Sequence, residues 1–222
     1  MPEAAHRNIF FPGPAGRIEA VYWKTALEAP PIAAVVCHPH PLFGGTLHNK
    51  VVYQVARTFD RLSIPVLRFN FRGAGMSEGT HDRGLGERED VRAAIGFMTS
   101  EYPGVPMAIA GFSFGCWVGL RVGCEDARVT ELVGLGAPVG DSDFSYLAKC
   151  DKPRLMIQGE HDQFGSPDKL KELVRSFPAK MQKETRVVMV PDGDHFFTGH
   201  LAKVDEALTA WVVERHPELA RS

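Results

Sequence analysis

Apolar residues fall into two rhythms along this chain. The first is a set of short continuous runs: Ile32–Cys37, Ile64–Phe69, Met107–Ala110, Leu132–Leu135, Leu155–Gln158 and Val187–Val190. Runs with few polar interruptions are expected of parallel strands covered on both faces. The second rhythm repeats at three- and four-residue steps. Val51, Val52, Val55 and Phe59 predict a helix over 49–59, and Val91, Ala94, Ile95 and Met98 predict another over 87–98. Further helices are expected over 114–122 and 167–177, and a last one buries Leu201, Val204, Leu208, Trp211 and Val212. Arg17–Trp23 alternates and predicts an early antiparallel strand, while Ile9–Gly16, rich in Pro and Gly, reads as turn-like. From the second strand onward, strands and helices alternate. That order predicts an α/β protein, a doubly wound and mostly parallel sheet with helices on both faces. No linker or repeat divides it, so residues 1–222 are expected to form one domain, with a leader over 1–15 and a core over 16–216.

Composition narrows the possible partners. The chain has 222 residues, 44% of them apolar, with 25 Lys and Arg against 27 Asp and Glu and a net charge of −2. No basic field favours nucleic acid or an anionic membrane surface. No apolar stretch reaches the roughly 20 residues needed to span a bilayer. Met1–Arg7 shows no signal-peptide pattern, and a cytoplasmic location is expected. Cys37, Cys116, Cys124 and Cys150 lack CxxC spacing and read as buried thiols. Nothing in the pattern fixes assembly beyond a monomer or small homo-oligomer.

The chemistry centres on Gly111-Phe112-Ser113-Phe114-Gly115, between a predicted strand and a predicted helix. Gly-x-Ser-x-Gly in that setting is the nucleophile elbow of the α/β-hydrolase fold: a sharp turn lifts the Ser hydroxyl above the sheet. A Ser hydroxyl needs a base, and the base needs an orienting carboxylate, which follow in the order Ser, acid, His. Asp162 lies just beyond the Leu155 strand and His195 just beyond the Val187 strand. Ser113, Asp162 and His195 are therefore the expected triad. Asp141 and Asp143 are alternative acids on the preceding loop. Asp192 and Asp194 read as turn residues, and His161 and His200 as poorer bases. Only a loop and one short helix fit between Leu135 and Leu155, so no substantial lid is expected and the pocket should be open.

An acyl-transfer site also needs oxyanion donors. One is expected to be the Phe114 N–H, the residue after the Ser, and the other comes from the loop after the first parallel strand. There His38-Pro39-His40-Pro41-Leu42-Phe43-Gly44-Gly45 follows Cys37. Proline has no N–H, which leaves His40 or Leu42 as the second donor. His38 reads as a structural residue at the strand end, and the His40 side chain is expected to line the pocket. His-x-His is a fragment of some metal sites, but no further ligand pattern follows, and neither metal nor cofactor is expected. Arg68–Gly79 carries glycines without the spacing of a dinucleotide or phosphate loop. Asn70 and Arg72, with Phe43 and Gly44, are expected to support or line the pocket, and Asn49 to cap a helix.

His38–Thr46, Asn49–Val52, Arg68–Gly73, Gly111–Gly115, Gly159–Asp162 and Gly193–Phe197 together resemble the small bacterial α/β-superfamily hydrolases related to dienelactone hydrolase. The likeness runs from about Gly16 to Trp211. It implies a lidless serine hydrolase with Ser113, Asp162 and His195 as triad and carboxylesterase-like activity on small esters; the absence of room for a lid adds the expectation of short acyl groups. Dienelactone hydrolases proper carry Cys where this chain has Ser113. Two other readings are a thioesterase or small-amide hydrolase on the same triad, and a non-catalytic scaffold on the same fold.

Overall fold

A computed structural model describes residues 6–221, and the first five residues of the expected leader lie outside them. Among the described residues eight strands form one sheet. They are β1 (His6–Gly13), β2 (Gly16–Trp23), β3 (Ala33–Cys37), β4 (Val66–Phe69), β5 (Met107–Phe112), β6 (Val129–Leu135), β7 (Arg154–Gly159) and β8 (Thr185–Val190). The spatial order is β1-β2-β4-β3-β5-β6-β7-β8. β2 pairs antiparallel with β1 and β4, and β3 to β8 are parallel. The helices are α1 (Lys50–Arg61), α2 (Leu85–Glu101), α3 (Phe114–Glu125), α4 (Pro167–Arg175), α5 (Ala179–Lys183) and α6 (Leu201–Arg215).

The period of two along each strand splits the core into two layers. Ala33, Val35 and Cys37 of β3, with Met107 and Ile109 of β5, face α2 and α3 residues such as Val91, Ile95, Val118 and Leu120. Ala34 and Val36, with Ala108 and Ala110, face Val51, Val55 and Phe59 of α1 and Val204, Leu208 and Trp211 of α6. Each fully buried side chain of this kind contributes about 1.5–3 kcal/mol over exposure. The sheet is therefore held from both sides, and its C-terminal edge is left to the loops.

Local chemistry sets the helix ends near that edge. The Asn49 side chain accepts from the Val51 N–H at 2.9 Å and caps α1. Glu87 turns back to accept from the Gly84 N–H at 2.7 Å, so α2 begins two residues earlier than its charge pattern suggests.

The opening segment differs from the expectation. Ile9–Gly16 was expected to be turn-like, but His6–Gly13 is a strand paired with β2, and only Pro14 and Ala15 remain as the turn. Pro12 is tolerated because β1 is the edge strand of the sheet. Phe11 is buried and stacks on Phe97 at 5.2 Å, so this hairpin belongs to the core rather than leading up to it.

Between β6 and β7 the chain forms a loop with one 3₁₀ turn, Ser145–Lys149, and no other helix. The four cysteines are free thiols, and burial raises those of Cys37 and Cys116 far above their usual range. No helix among the described residues is long and apolar enough to cross a membrane.

Candidate active site

Ser113 sits between β5 and α3 at φ 55° and ψ −119°, a backbone conformation that side chains rarely adopt. The two flanking glycines make this turn possible. A Cβ on Gly111 would lie 2.3 Å from the Gly115 carbonyl oxygen, and one on Gly115 would lie 2.4 Å from that of Cys37. The Ser113 N–H donates to the Leu135 carbonyl at 2.9 Å, which anchors the turn to β6.

The loops after β7 and β8 bring two more groups to the same place. The His195 Nε2 lies 3.0 Å from the Ser113 Oγ, and its Nδ1 lies 2.8 Å from the Asp162 Oδ2. A carboxylate only accepts, so Nδ1 carries the proton and Nε2 is free to accept from the hydroxyl. Asp162 and His195 are both buried. The rings of Phe112, Phe164 and Phe196 surround the imidazole at 5.0, 4.7 and 5.1 Å. Gly136, at φ 52°, passes beneath it, where a Cβ would come within 3.2 Å of the ring.

The Asp162 carboxylate is fixed by more than the histidine. Its Oδ1 accepts from the Phe164 and Gly165 N–H groups at 2.8 Å each, and its Oδ2 accepts from the Gln158 Nε2 at 2.8 Å. Gln158 is fully buried at the end of β7. It also donates to the Gly165 carbonyl at 2.7 Å and accepts from the Ala137 N–H at 2.9 Å. Gln158 is not among the site residues that motif and spacing point to. Its position four residues before Asp162, at the end of an otherwise apolar strand, was the available signal.

On the other side of Ser113, the Phe114 N–H opens α3, where backbone donors have no partner in a preceding turn. The Leu42 N–H is occupied, donating to the His40 Nδ1 at 3.2 Å. The His40 N–H has no acceptor among the described residues. The His40 ring packs against Phe43, His81 and Phe114 at 4.7–4.8 Å. Partial burial and then the neighbouring His81 hold its pKa below the usual value.

His38, Asn70 and Arg72 stand behind the pocket. His38 is fully buried; its Nδ1 donates to the Pro39 carbonyl at 2.6 Å and its Nε2 accepts from the Phe71 N–H at 2.9 Å. Burial lowers its pKa to about 4. Both ring nitrogens are engaged, so the His38/His40 pair makes no joint ligand set. Asn70 accepts from the Leu47 N–H at 2.7 Å and donates to Glu19 at 2.6 Å. Arg72 forms a paired contact with Asp90, with Nη2 at 2.8 Å and Nε at 3.0 Å. It braces α2 and does not face a ligand.

The cleft above Ser113 has a volume of about 630 Å³. Phe43, Gly44 and His40 line it as expected, together with Phe114, Pro138, Asp141, Phe164 and Phe196. Asp143 is turned away and accepts from the Ser145 N–H at 2.8 Å. Phe164 and Phe196 were not singled out in the sequence, although each lies within two residues of a triad candidate.

A sequence profile of the alpha/beta hydrolase domain matches residues 36–211. The uncharacterized protein RP471 of Rickettsia prowazekii is 35% identical over 212 residues, 93% of this chain and 88% of that one. A serine hydrolase without a lid from Xanthomonas campestris shares 33% identity and a TM-score of 0.84, covering 97% of this chain and 95% of that one. An alpha-beta serine hydrolase homologue from Coxiella burnetii shares 31% identity and a TM-score of 0.85, covering 92% and 96%.

Proposed function

Since the chain belongs to the alpha/beta hydrolase family, we propose that it is a serine carboxylesterase acting on small esters through an acyl-enzyme on Ser113. The observation that carries this reading is the hydrogen-bonded line Ser113–His195–Asp162, at 3.0 and 2.8 Å. In this mechanism the His195 Nε2 takes the Ser113 proton as Oγ attacks the ester carbonyl. The oxygen that becomes negative is met by the N–H groups of Phe114 and His40, the latter supported over Leu42 by its free donor. His195 then returns the proton to the departing alcohol. In the second half His195 takes a proton from water as the water oxygen attacks the acyl carbon, and returns it to the Ser113 Oγ as the acyl-Ser113 bond breaks and the acid leaves. Asp162 holds the imidazole in the tautomer that can accept from Ser113. None of these steps calls for a metal or an organic cofactor. Cytoplasmic residence belongs to the same reading and is supported by four unpaired cysteines, which fit a reducing compartment.

The test is covalent labelling with an organophosphonate, followed by intact mass and peptide mapping. The adduct is expected on Ser113. Ser113→Ala is expected to lose the adduct and all but a hundredth or less of ester turnover. Labelling at another residue, or persistent turnover in the variant, would overturn the reading.

A further inference from the structure

Resting on the esterase reading, we infer that the substrate is an uncharged ester carrying an aromatic ring, received between Phe164 and Phe196 on one side of the cleft and Phe43 on the other. These three phenylalanines come from three separate loops, after β7, β8 and β3, and line one cleft. They are 47%, 40% and 86% exposed. Exposed apolar side chains gathered at one place mark a binding surface more than scattered ones do. Two of the rings touch the imidazole of His195, so a group resting on them lies beside the reacting atoms. The third packs against His40, across the cleft. Aromatic faces and edges favour another ring at 4.5–7 Å over an aliphatic chain of equal area. A ring with a short arm to its carbonyl also fits a cleft of about 630 Å³.

Charge supplies the second half of the inference. No Lys or Arg lines the cleft among the described residues, and one carboxylate, Asp141, does. The nearby guanidinium of Arg72 is committed to Asp90. An anionic group on the substrate would leave water without a cation to meet it among these lining residues and would face a like charge.

The full chain is tested on three methyl esters by pH-stat titration: 3-phenylpropanoate, 3-cyclohexylpropanoate and 3-(4-carboxyphenyl)propanoate. The first two share carbon number and differ in the π face. The phenyl ester is expected to exceed the cyclohexyl ester in kcat/KM by roughly 3- to 10-fold. The carboxylated ring is expected to fall below the phenyl ester by about tenfold or more. Phe164→Leu and Phe196→Leu should bring the phenyl-to-cyclohexyl ratio towards one. Phe10→Leu, an exposed phenylalanine on the edge strand, should leave that ratio in place. A ratio of one in the parent, a preference for the anionic ring, or a jump in rate once substrate forms droplets would overturn the inference; the last would make the rings a lipid-facing collar. If Ser113 takes up phosphonate and methyl butyrate is hydrolysed while the ratio is one, only the ring inference falls. If no ester is hydrolysed and Ser113 stays unlabelled, the esterase reading falls and takes this inference with it.

Discussion

Beyond β3 the chain buries His38, and beyond β8 it buries His195. Both stand at the C-terminal edge of the same sheet, and both have two engaged ring nitrogens. The difference is in the partners. His38 lies between a backbone carbonyl and a backbone N–H, and burial holds it neutral with a pKa of about 4. It ties the loop after β3 to the residue that follows β4 and Asn70. His195 lies between a carboxylate and a hydroxyl. A carboxylate partner stabilises the imidazolium that proton transfer from Ser113 would create, and a backbone carbonyl does so far less. Residue type and burial are shared by the two sites; the charge of the partner separates a strut from a proposed base.

The comparison can be broken at the partner. Asp162→Asn gives His195 a neutral neighbour, as His38 has, and is expected to lower kcat by roughly 10⁴-fold with the fold retained. Asp141→Asn and Asp143→Asn should stay within a few-fold. Steady-state kinetics on the three variants decides this, and a larger loss at either loop residue would reassign the acid.

The strut predicts an effect on stability rather than chemistry. His38→Ala leaves the Phe71 N–H and the Pro39 carbonyl unpaired in the core and should cost about 2–4 kcal/mol in urea unfolding. The folded pKa of His38, about 4, lies below its ordinary value of 6.5. The unfolded chain therefore binds its proton first as pH falls. The contribution is full above about pH 6.5 and is lost as pH falls towards 4, amounting to about 3 kcal/mol over that window. His38→Ala should flatten the slope of stability against pH between 6.5 and 4. His216 does not confuse this window. Its hydrogen bond to Glu131 raises its pKa, so its contribution is full below 6.5 and fades only as pH rises through the folded value. An unchanged slope in the variant would mean that His38 is not the buried neutral group.

The smallest effect is expected one residue further back from the base. Gln158→Leu removes one donor to Asp162 and strands the Ala137 N–H, with an expected loss of about 1–3 kcal/mol shared between stability and turnover. Gln158→Glu sets a second carboxyl group against Asp162 and should distort the pH–rate profile, which Gln158→Leu should leave in shape. Equal profiles in the two variants would reduce Gln158 to a packing residue.

Much of the framework could be read from the chain because it rests on local rules. The elbow needs small residues at 111 and 115 and a Ser between them, and strand-end positions single out Asp162 and His195. The layered core follows from period two in the strands and three to four in the helices. What escaped depends on contacts between distant segments. Pro12 and Gly13 look like strand breakers until β1 is known to be an edge. Arg72 reads as a pocket residue until Asp90, on a helix packed alongside, takes its guanidinium. Phe164 and Phe196 carry no mark in the sequence, because only the meeting of two separate loops turns them into one cleft. The proposal of His40 over Leu42 as oxyanion donor rests on a side chain folding back on its own loop, which no spacing in the sequence encodes.

The backbone at Ser113 has a further consequence. A side chain held at φ 55° stores strain of order 1–3 kcal/mol, and here it sits on the residue whose oxygen is the proposed nucleophile. Glycine would relax that turn at no steric cost. By its conformational energy alone, the chain would therefore be more stable without its proposed nucleophile. Selection for thermal robustness and selection for turnover thus pull in opposite directions at position 113. Gains in robustness that keep turnover must come from elsewhere, such as the two core layers or the edge hairpin, where no reactive atom has to be presented.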